Sequence, residues 1–425
     1  MNATSPATPS ATRQVVTNAR PFDAARGTIG PPSRIVIEGE RIAAVLPEAT
    51  PVDDALVIDA GGRVVLPGLI DAHVHVTAAT HDLTSLGLQP PSLIAAETSA
   101  IMRGMLHRGF TTVRDAAGAD WGLQEAQARG LFEGPRLFIA GAPISQTGGH
   151  ADQRPKGVRQ RDWFCGCAGL GLIGAIADGV GEVRRAVREQ VRTGANQIKI
   201  MAGGGISSPT DPLEGTQFSL EELRAAVEEA EAANLYAMAH AYSPRAITRA
   251  VQAGVRSIEH GNLLDEATAR EMKRCGAYLV PTLATYAALA AEGRRLGWSE
   301  DMLDKLAKVH AAGVRSLQHA LAEGVPVVFG TDLLGHMHPQ QNQEFLLRLP
   351  AYAGKDAATR VLQSATIEAA KLLRAEGRLG ELRPGAFADL LVVEGDPTQD
   401  LTPLSQPDTG IRLVMQGGHT VRSSL

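Results

Sequence analysis

Short apolar segments alternate with longer amphipathic ones between residues 68 and 332, and this alternation limits the fold more than any other feature of the sequence. Strands that are separated by helices predict a parallel sheet with crossover connections. The predicted strands are residues 68–73, 111–115, 136–141, 197–202, 235–240, 256–260, 278–282 and 326–332. The clearest predicted helix, residues 219–234, opens with Ser219 and with Glu222 three positions later, which is a capping box. The fold class predicted from this order is α/β, a (β/α)8 TIM-like barrel.

The two ends of the chain differ from its middle. Residues 14–66 and 377–425 contain β-rich runs broken by turns, without a helical period. Neither end can form a stable sheet alone, so we predict one small β-sandwich domain built from both termini. The barrel, at residues 67–376, is inserted into it. Residues 1–13 are rich in Ala, Thr, Ser and Pro, and we predict a disordered lead-in there.

Composition excludes several classes of function. A net charge of -5 offers no general attraction for nucleic acid or for an anionic membrane. No stretch approaches the roughly 20 apolar residues that cross a bilayer, and no apolar run near the N-terminus resembles a signal peptide. Cys165, Cys167 and Cys275 make no disulfide framework. We therefore predict a cytoplasmic protein without nucleic-acid or membrane partners, while a native signal upstream stays an open alternative.

Metal-binding side chains follow or end several of the predicted strands. His73 and His75 close the first strand, and both face one point because alternate side chains of a strand lie on the same side. His240 ends the fifth strand, His260 the sixth and Asp332 the eighth. Strand ends of a barrel meet at one rim, where active sites lie, so these residues predict a shared metal site. Taken singly, each histidine can be a hydrogen-bonded core residue, and Asp332 can cap the next helix.

Lys199 interrupts the apolar run of the fourth predicted strand. A protonated ammonium cannot bind a metal, but burial lowers the pKa of a lysine and favours the neutral amine. A neutral amine can take up carbon dioxide and become a carbamate that bridges two cations. The alternative is an inward lysine whose amine extends to water.

These residues also carry a family resemblance. The segments concerned are 65–75, 198–200, 257–261, 330–332 and 382–390, together with His240. They resemble the amidohydrolase superfamily, in the branch of imidazolonepropionase-like enzymes, prolidase-like dipeptidases and ochratoxin A-hydrolysing amidohydrolases. The resemblance implies a site for two Zn²⁺ ions, with a hydroxide between them. Its implied ligands are His73, His75 and Asp332 for the more buried ion, His240 and His260 for the other, and carboxylated Lys199 as a bridge.

Further roles are expected for residues around this centre. Asp332 is expected to move the proton of the nucleophile to the leaving nitrogen. His150, in a glycine-rich loop after the third strand, is expected to stabilise the oxyanion or to bind a substrate carboxylate, with a solvated loop residue as the alternative. Related dipeptidases imply that Tyr242 meets the substrate carboxylate, with ordinary packing as the alternative. His336 and His338 are expected to face solvent.

The resemblance implies a small-molecule amide substrate with a free carboxylate. We expect a binuclear zinc amidohydrolase that cleaves N-acyl or peptidyl amino acids, foremost ochratoxin A into ochratoxin alpha and L-phenylalanine. The alternatives are a dipeptidase acting on Xaa-Pro or other dipeptides, a hydrolase of cyclic amides like imidazolonepropionase, and a metal-free binding or assembly module. The absence of a GxSxG segment disfavours a serine nucleophile. The family also implies a homo-oligomer, with an octamer among the expected states.

Overall fold

Strands and helices alternate through most of the computed structural model, which describes residues 13–159, 170–207 and 211–425. The strands are β1 Gln14–Asp23, β2 Thr28–Ile29, β3 Ser33–Glu38, β4 Arg41–Pro47, β5 Leu56–Asp59, β6 Val64–Pro67, β7 Leu69–Val74, β8 Phe110–Asp115, β9 Arg136–Phe138, β10 Ile144–Ser145, β11 Ala175–Ile176, β12 Ile198–Met201, β13 Ala237–Ala241, β14 Ser257–His260, β15 Tyr278–Val280, β16 Leu390–Val393, β17 Ile411–Gln416 and β18 His419–Ser423.

The α-helices of the described ranges lie mainly between these strands. They are α1 Leu83–Leu86, α2 Pro91–His107, α3 Trp121–Ala128, α4 Val180–Arg192, α5 Leu220–Ala232, α6 Pro244–Gln252, α7 Glu266–Cys275, α8 Leu283–Glu292, α9 Glu300–Ala322, α10 Glu344–Arg348, α11 Ala357–Ser364, α12 Ile367–Leu372, α13 Thr402–Ser405 and α14 Pro407–Gly410. Residues 1–12 of the predicted lead-in, Cys165 and Cys167 lie outside the described residues.

The central strands run parallel, as the alternation predicts. β7, β8 and β9 form one sheet, and a second sheet has the order β11-β10-β12-β13-β14-β15. The predicted strand at 326–332 is reduced to a single bridge between Leu279 and Val327. Its segment still links the two sheets, because the Val328 amide donates to the Leu279 carbonyl and the Ala72 amide donates to the Phe329 carbonyl. Hydrogen bonds from the Thr331 and Asp332 amides to the His73 carbonyl continue this link to the end of the segment, where Asp332 has a left-handed backbone with φ 56°.

Helix α5 confirms the capping-box prediction. Ser219 accepts a hydrogen bond from the Glu222 amide, and the Glu222 carboxylate accepts one from the Ser219 amide. The helix buries Leu223 and Val227 against the parallel strands. Burying one such side chain stabilises the fold by about 2 kcal/mol.

Both ends of the chain contribute to a third sheet, which has nine strands among the described residues. Its path is β18-β17-β16-β6-β1-β3-β4, and β2 and β5 pair with β1. β6 pairs antiparallel with β16, with Pro67 opposite Leu390, so the two termini are joined directly. Strand β1 belongs to both halves, and side chains from both halves, such as Val16, Ile37 and Met415, share one buried cluster. This arrangement fits a module built from both termini, whose exact boundaries stay a prediction.

No helix in the described ranges combines the length and the apolar character needed to cross a membrane.

Candidate metal centre

One cavity beside the carboxyl ends of the parallel strands brings together every residue predicted for the site. Its volume is about 70 Å³. The predicted residues that line it are His73, His75, His150, Lys199, His240, Tyr242, His260 and Asp332. They come from separate segments of the chain, so their convergence is a property of the fold.

The imidazoles form an arc around Asp332. Ring centroids lie 5.3 Å apart for His73 and His75, and 4.9 Å apart for His73 and His260. His240 extends the arc, with its ring centroid 4.6 Å from that of His260. Oδ1 of Asp332 lies 3.1 Å from Nε2 of His75 and 3.4 Å from Nε2 of His73. Oδ2 lies 3.8 Å from Nδ1 of His260.

The backbone is strained where these side chains turn inward. His260 and Asp332 have φ angles of 75° and 56°, in the left-handed region that L-residues seldom adopt. Such conformations cost of order 1–3 kcal/mol each and cluster at functional sites. Gly330 provides the necessary space, because a Cβ there would lie 2.3 Å from the Val280 side chain and 2.9 Å from Cβ of His73.

Three of the histidines donate one ring hydrogen to a fixed acceptor. Nδ1 of His73 lies 2.7 Å from Oε2 of Glu259, and Nδ1 of His75 lies 2.9 Å from the Ala117 carbonyl. Nε2 of His240 lies 3.0 Å from the Gly204 carbonyl. In a neutral ring, the second nitrogen then carries a free lone pair.

Charge states at the centre follow from burial. Burial holds the pKa of His240 and of His260 well below the usual value, although Asp332 opposes the shift at His260, so both rings are neutral. Burial lowers the pKa of Lys199 to about 8, although Glu259 and Asp332 oppose the shift. The neutral amine is then more populated at pH 7 than in a solvent-exposed lysine. Burial alone would raise the pKa of Asp332, but His73, His75 and His260 hold it well below its usual range.

The donor set fits a transition metal. Nε2 of His73 is buried and has no hydrogen-bond partner among the described residues. One donor atom each from His73, His260 and Asp332 lies within 4.8 Å of the others. Imidazole nitrogen and carboxylate oxygen are the ligands that Zn²⁺ prefers alongside thiolate.

Two buried charged residues that sequence reasoning did not single out are hydrogen-bonded in series to Nδ1 of His73. Glu259 accepts the His73 hydrogen, and Arg114 contacts both oxygens of Glu259 at 2.9 Å. Burial would raise the pKa of Glu259, but Arg114 and His73 hold it far below its usual range. The available signal was a polar pair at alternate positions of a buried strand, Ser257 and Glu259, which places both side chains on the inner face.

His150 lies against the arc and does not face solvent, since its side chain is 11% exposed. Its ring stacks on that of His240 with centroids 4.2 Å apart. Nδ1 lies 3.3 Å from Oδ2 of Asp211, a buried residue that sequence reasoning did not single out. The ring fits only because residue 205 is glycine: a Cβ there would lie 1.9 Å from Cε1 of His150.

Tyr242 forms one wall of the cavity. Its ring lies nearly parallel to that of His260, at 24° and 5.3 Å, and its hydroxyl shares a 2.8 Å hydrogen bond with that of Tyr286. Tyr286 also lines the cavity and was not predicted. The rest of the lining is mostly apolar and includes Leu289 and Trp298.

The expectation for the two histidines after Asp332 is half right. His336 is exposed and pairs with Glu292 on the surface. His338 is buried, contrary to expectation, because the following 3-10 helix, Gly335–Gln343, turns it inward. Its Nε2 donates to the Ala78 carbonyl at 3.0 Å, and burial lowers its pKa to about 4.

Comparison with known proteins supports this picture of the fold. Residues 64–421 match the family described as the amidohydrolase family. Ochratoxinase of Aspergillus niger is 33% identical over 373 residues, which cover 84% of this chain and 75% of that protein. A crystal structure of a prolidase complexed with N-methylphosphonate-L-proline is 45% identical, with a TM-score of 0.93, and covers 97% of this chain and 100% of that one. A Xaa-Pro dipeptidase with bound methionine is 30% identical, with a TM-score of 0.86, over 96% and 99% of the two chains.

Proposed function

This chain belongs to the amidohydrolase family, and from that premise we propose that it hydrolyses the amide bond of peptidyl or N-acyl amino acids in a metal-dependent reaction. The observation that carries the proposal is the convergence of four histidines, one lysine and one aspartate on a single cavity. The proposal includes the complete barrel, in which the two parallel sheets close through residues 326–332. A homo-oligomer and a cytoplasmic location stay predictions.

The ligands in this proposal serve two zinc ions. His73, His75 and Asp332 would hold one ion, and His240 and His260 would hold the other. Lys199, once carboxylated, would be a ligand as well, and its burial and lowered pKa favour the neutral amine that carboxylation requires. When bound, two such ions supply a Lewis acid for the scissile carbonyl and lower the pKa of water toward about 7.

Side chains of the chain perform the proton and binding steps. Asp332 is ionised, so it accepts a proton from the attacking water and delivers it to the leaving nitrogen. His150, stacked beside His240, donates a hydrogen bond to the carbonyl oxygen as it gains charge or to the carboxylate of the substrate. The Tyr242 hydroxyl, oriented by Tyr286, donates to that carboxylate.

Two classes of substrate are candidates for this reaction. Ochratoxin A, which combines an amide bond with a free phenylalanine carboxylate, is the first candidate, because ochratoxinase is a relative at 33% identity. Dipeptides ending in proline are the second, because the prolidase structure with N-methylphosphonate-L-proline is 45% identical. The apolar lining residues, such as Leu289 and Trp298, suit a hydrophobic group in either case.

The test is an amino-acid release assay on a matched panel. Ochratoxin A, Xaa-Pro and Xaa-Phe dipeptides, their C-terminal amides and a cyclic imidazolone are incubated with enzyme before and after chelation and zinc re-addition. Substrates with a free carboxylate should be cleaved at the amide bond. Chelation should abolish this turnover, and so should His73→Ala. The control is His310→Ala, an exposed histidine on α9. Turnover that survives both chelation and His73→Ala refutes the proposal, and turnover of the imidazolone alone favours the cyclic-amide reaction.

A further inference from the structure

A continuous series of buried hydrogen bonds leads from Arg114 to the imidazole of His73. The Arg114 guanidinium donates to both carboxylate oxygens of Glu259 at 2.9 Å. The Ser257 hydroxyl donates to Oε1 of Glu259 at 2.6 Å. Oε2 of the same carboxylate accepts the Nδ1 hydrogen of His73 at 2.7 Å. The side chains of Arg114, Glu259 and His73 are all 0% exposed.

Arg114 is fixed as firmly as the carboxylate that it holds. Its Nε donates to the Ala72 carbonyl at 2.6 Å, immediately before His73, and one terminal nitrogen donates to Ser257 at 3.1 Å. Strands β7, β8 and β14 are therefore tied together around Glu259. A carboxylate with so many partners cannot rotate away from the imidazole without leaving a buried charge unpaired.

The hydrogen bond at Nδ1 of His73 also determines the protonation of Nε2 in the same ring. With Nδ1 committed to Glu259, the hydrogen of a neutral His73 cannot reside on Nε2, which points toward Asp332 and lacks a hydrogen-bond partner among the described residues. We infer that Glu259, held by Arg114 and Ser257, is a positioning residue that fixes the tautomer and orientation of His73 and thereby strengthens metal binding. The inference rests on the proposed metal-dependent function and names a residue that acts through His73.

The expected effect concerns metal affinity first and turnover second. Removing a carboxylate that orients a ligating histidine typically costs 10- to 100-fold in metal affinity. We expect Glu259→Gln to weaken zinc binding within that range, because the amide keeps the shape of the side chain but loses the charge that Arg114 and His73 share.

The chain offers a matched control in a second buried ion pair. Glu344 and Arg348 lie 2.9 Å apart, both 0% exposed, and Glu344 also accepts from the Ala284 amide at 2.6 Å. The hydrogen-bond and ion-pair partners of Glu344 are Ala284 and Arg348, and neither is a histidine. Glu344→Gln therefore perturbs a buried Glu–Arg pair without touching a proposed ligand.

The experiment measures zinc binding rather than turnover. Metal-free wild type, Glu259→Gln and Glu344→Gln are titrated with Zn²⁺ against a chromophoric chelator, and the bound ions are counted by elemental analysis. Unfolding in denaturant with chelator present reports the stability of each metal-free protein. We expect both variants to lose stability, but only Glu259→Gln to bind zinc about 10- to 100-fold more weakly.

The outcomes separate this inference from the proposed function. A wild type that binds no zinc overturns the function. A wild type that binds zinc while Glu259→Gln binds it equally well, or while Glu344→Gln weakens it equally, overturns the inference alone. If Glu259→Gln fails to fold, the same titration is carried out with Ser257→Ala. Removing one hydrogen bond to Glu259 should weaken zinc binding by about threefold or more. An unchanged zinc affinity overturns the inference.

Discussion

Replacing Gly205 with alanine tests whether the position of His150 matters for the reaction. The new Cβ would lie 1.9 Å from Cε1 of the ring, whereas ordinary contact begins at 3.4 Å, so the ring must withdraw by about 1.5 Å (3.4 minus 1.9). A misplacement of about 1 Å in an active site can cost on the order of 100-fold in rate. At 1.36 kcal/mol per tenfold, this corresponds to about 2.7 kcal/mol of transition-state stabilisation.

The assay compares kcat/KM on the best free-carboxylate substrate of the panel. Gly205→Ala should lower it by about 100-fold, and His150→Ala by a similar factor. The double variant should be no worse than His150→Ala, because the added methyl acts only through the ring that has been removed. Zinc content should stay unchanged in all three proteins.

Gly157→Ala is the matched control, since a Cβ at residue 157 would meet nothing within 4 Å. It should retain the wild-type kcat/KM. The reasoning is refuted by a Gly205→Ala enzyme of normal activity, or by losses that add fully in the double variant.

Three further predictions concern single residues. Asp332→Asn should lower kcat by about 100-fold and change KM little, as steady-state kinetics with parallel zinc analysis will measure. Tyr286→Phe removes the partner of Tyr242, so KM should rise about threefold for a free-carboxylate substrate but not for its C-terminal amide. Burial lowers the pKa of His338 from 6.5 to about 4, so the folded protein binds this proton less readily than the unfolded chain and loses up to about 3 kcal/mol of stability as the pH falls through that window. Denaturant unfolding between pH 4 and 7 should show a flatter profile for His338→Gln, and an unchanged slope contradicts the assignment.

Sequence reasoning could bring these side chains together because the main groups stand at or just beyond strand ends. Strand alternation gives the order of the parallel strands, and parallel strands bring their carboxyl ends to one rim. His73, His240, His260 and Asp332 could therefore be placed together without any knowledge of distances. The boundaries were less accurate: residues 326–332 form only one bridge and are held to the neighbouring strands by separate backbone hydrogen bonds, which no sequence pattern marks.

The supporting residues could not be found in the same way. Arg114 and Glu259 lie inside strands, one position before a more conspicuous polar residue, and only three-dimensional packing shows that they meet. Asp211 approaches His150 from a distant loop. His338 is buried by the path of a 3-10 helix, which no hydrophobic period marks.

The pairing of β6 with β16 has a consequence for how the protein is made. Pro67 lies opposite Leu390, so the two partners are 323 positions apart (390 minus 67). At a synthesis rate of about 5–20 residues per second, the earlier strand leaves the ribosome on the order of tens of seconds before its partner exists. During that interval the nascent chain carries an open β edge directly ahead of the segment that supplies His73 and His75. Unpaired β edges promote association with other chains, so we expect production of this protein to benefit from chaperones.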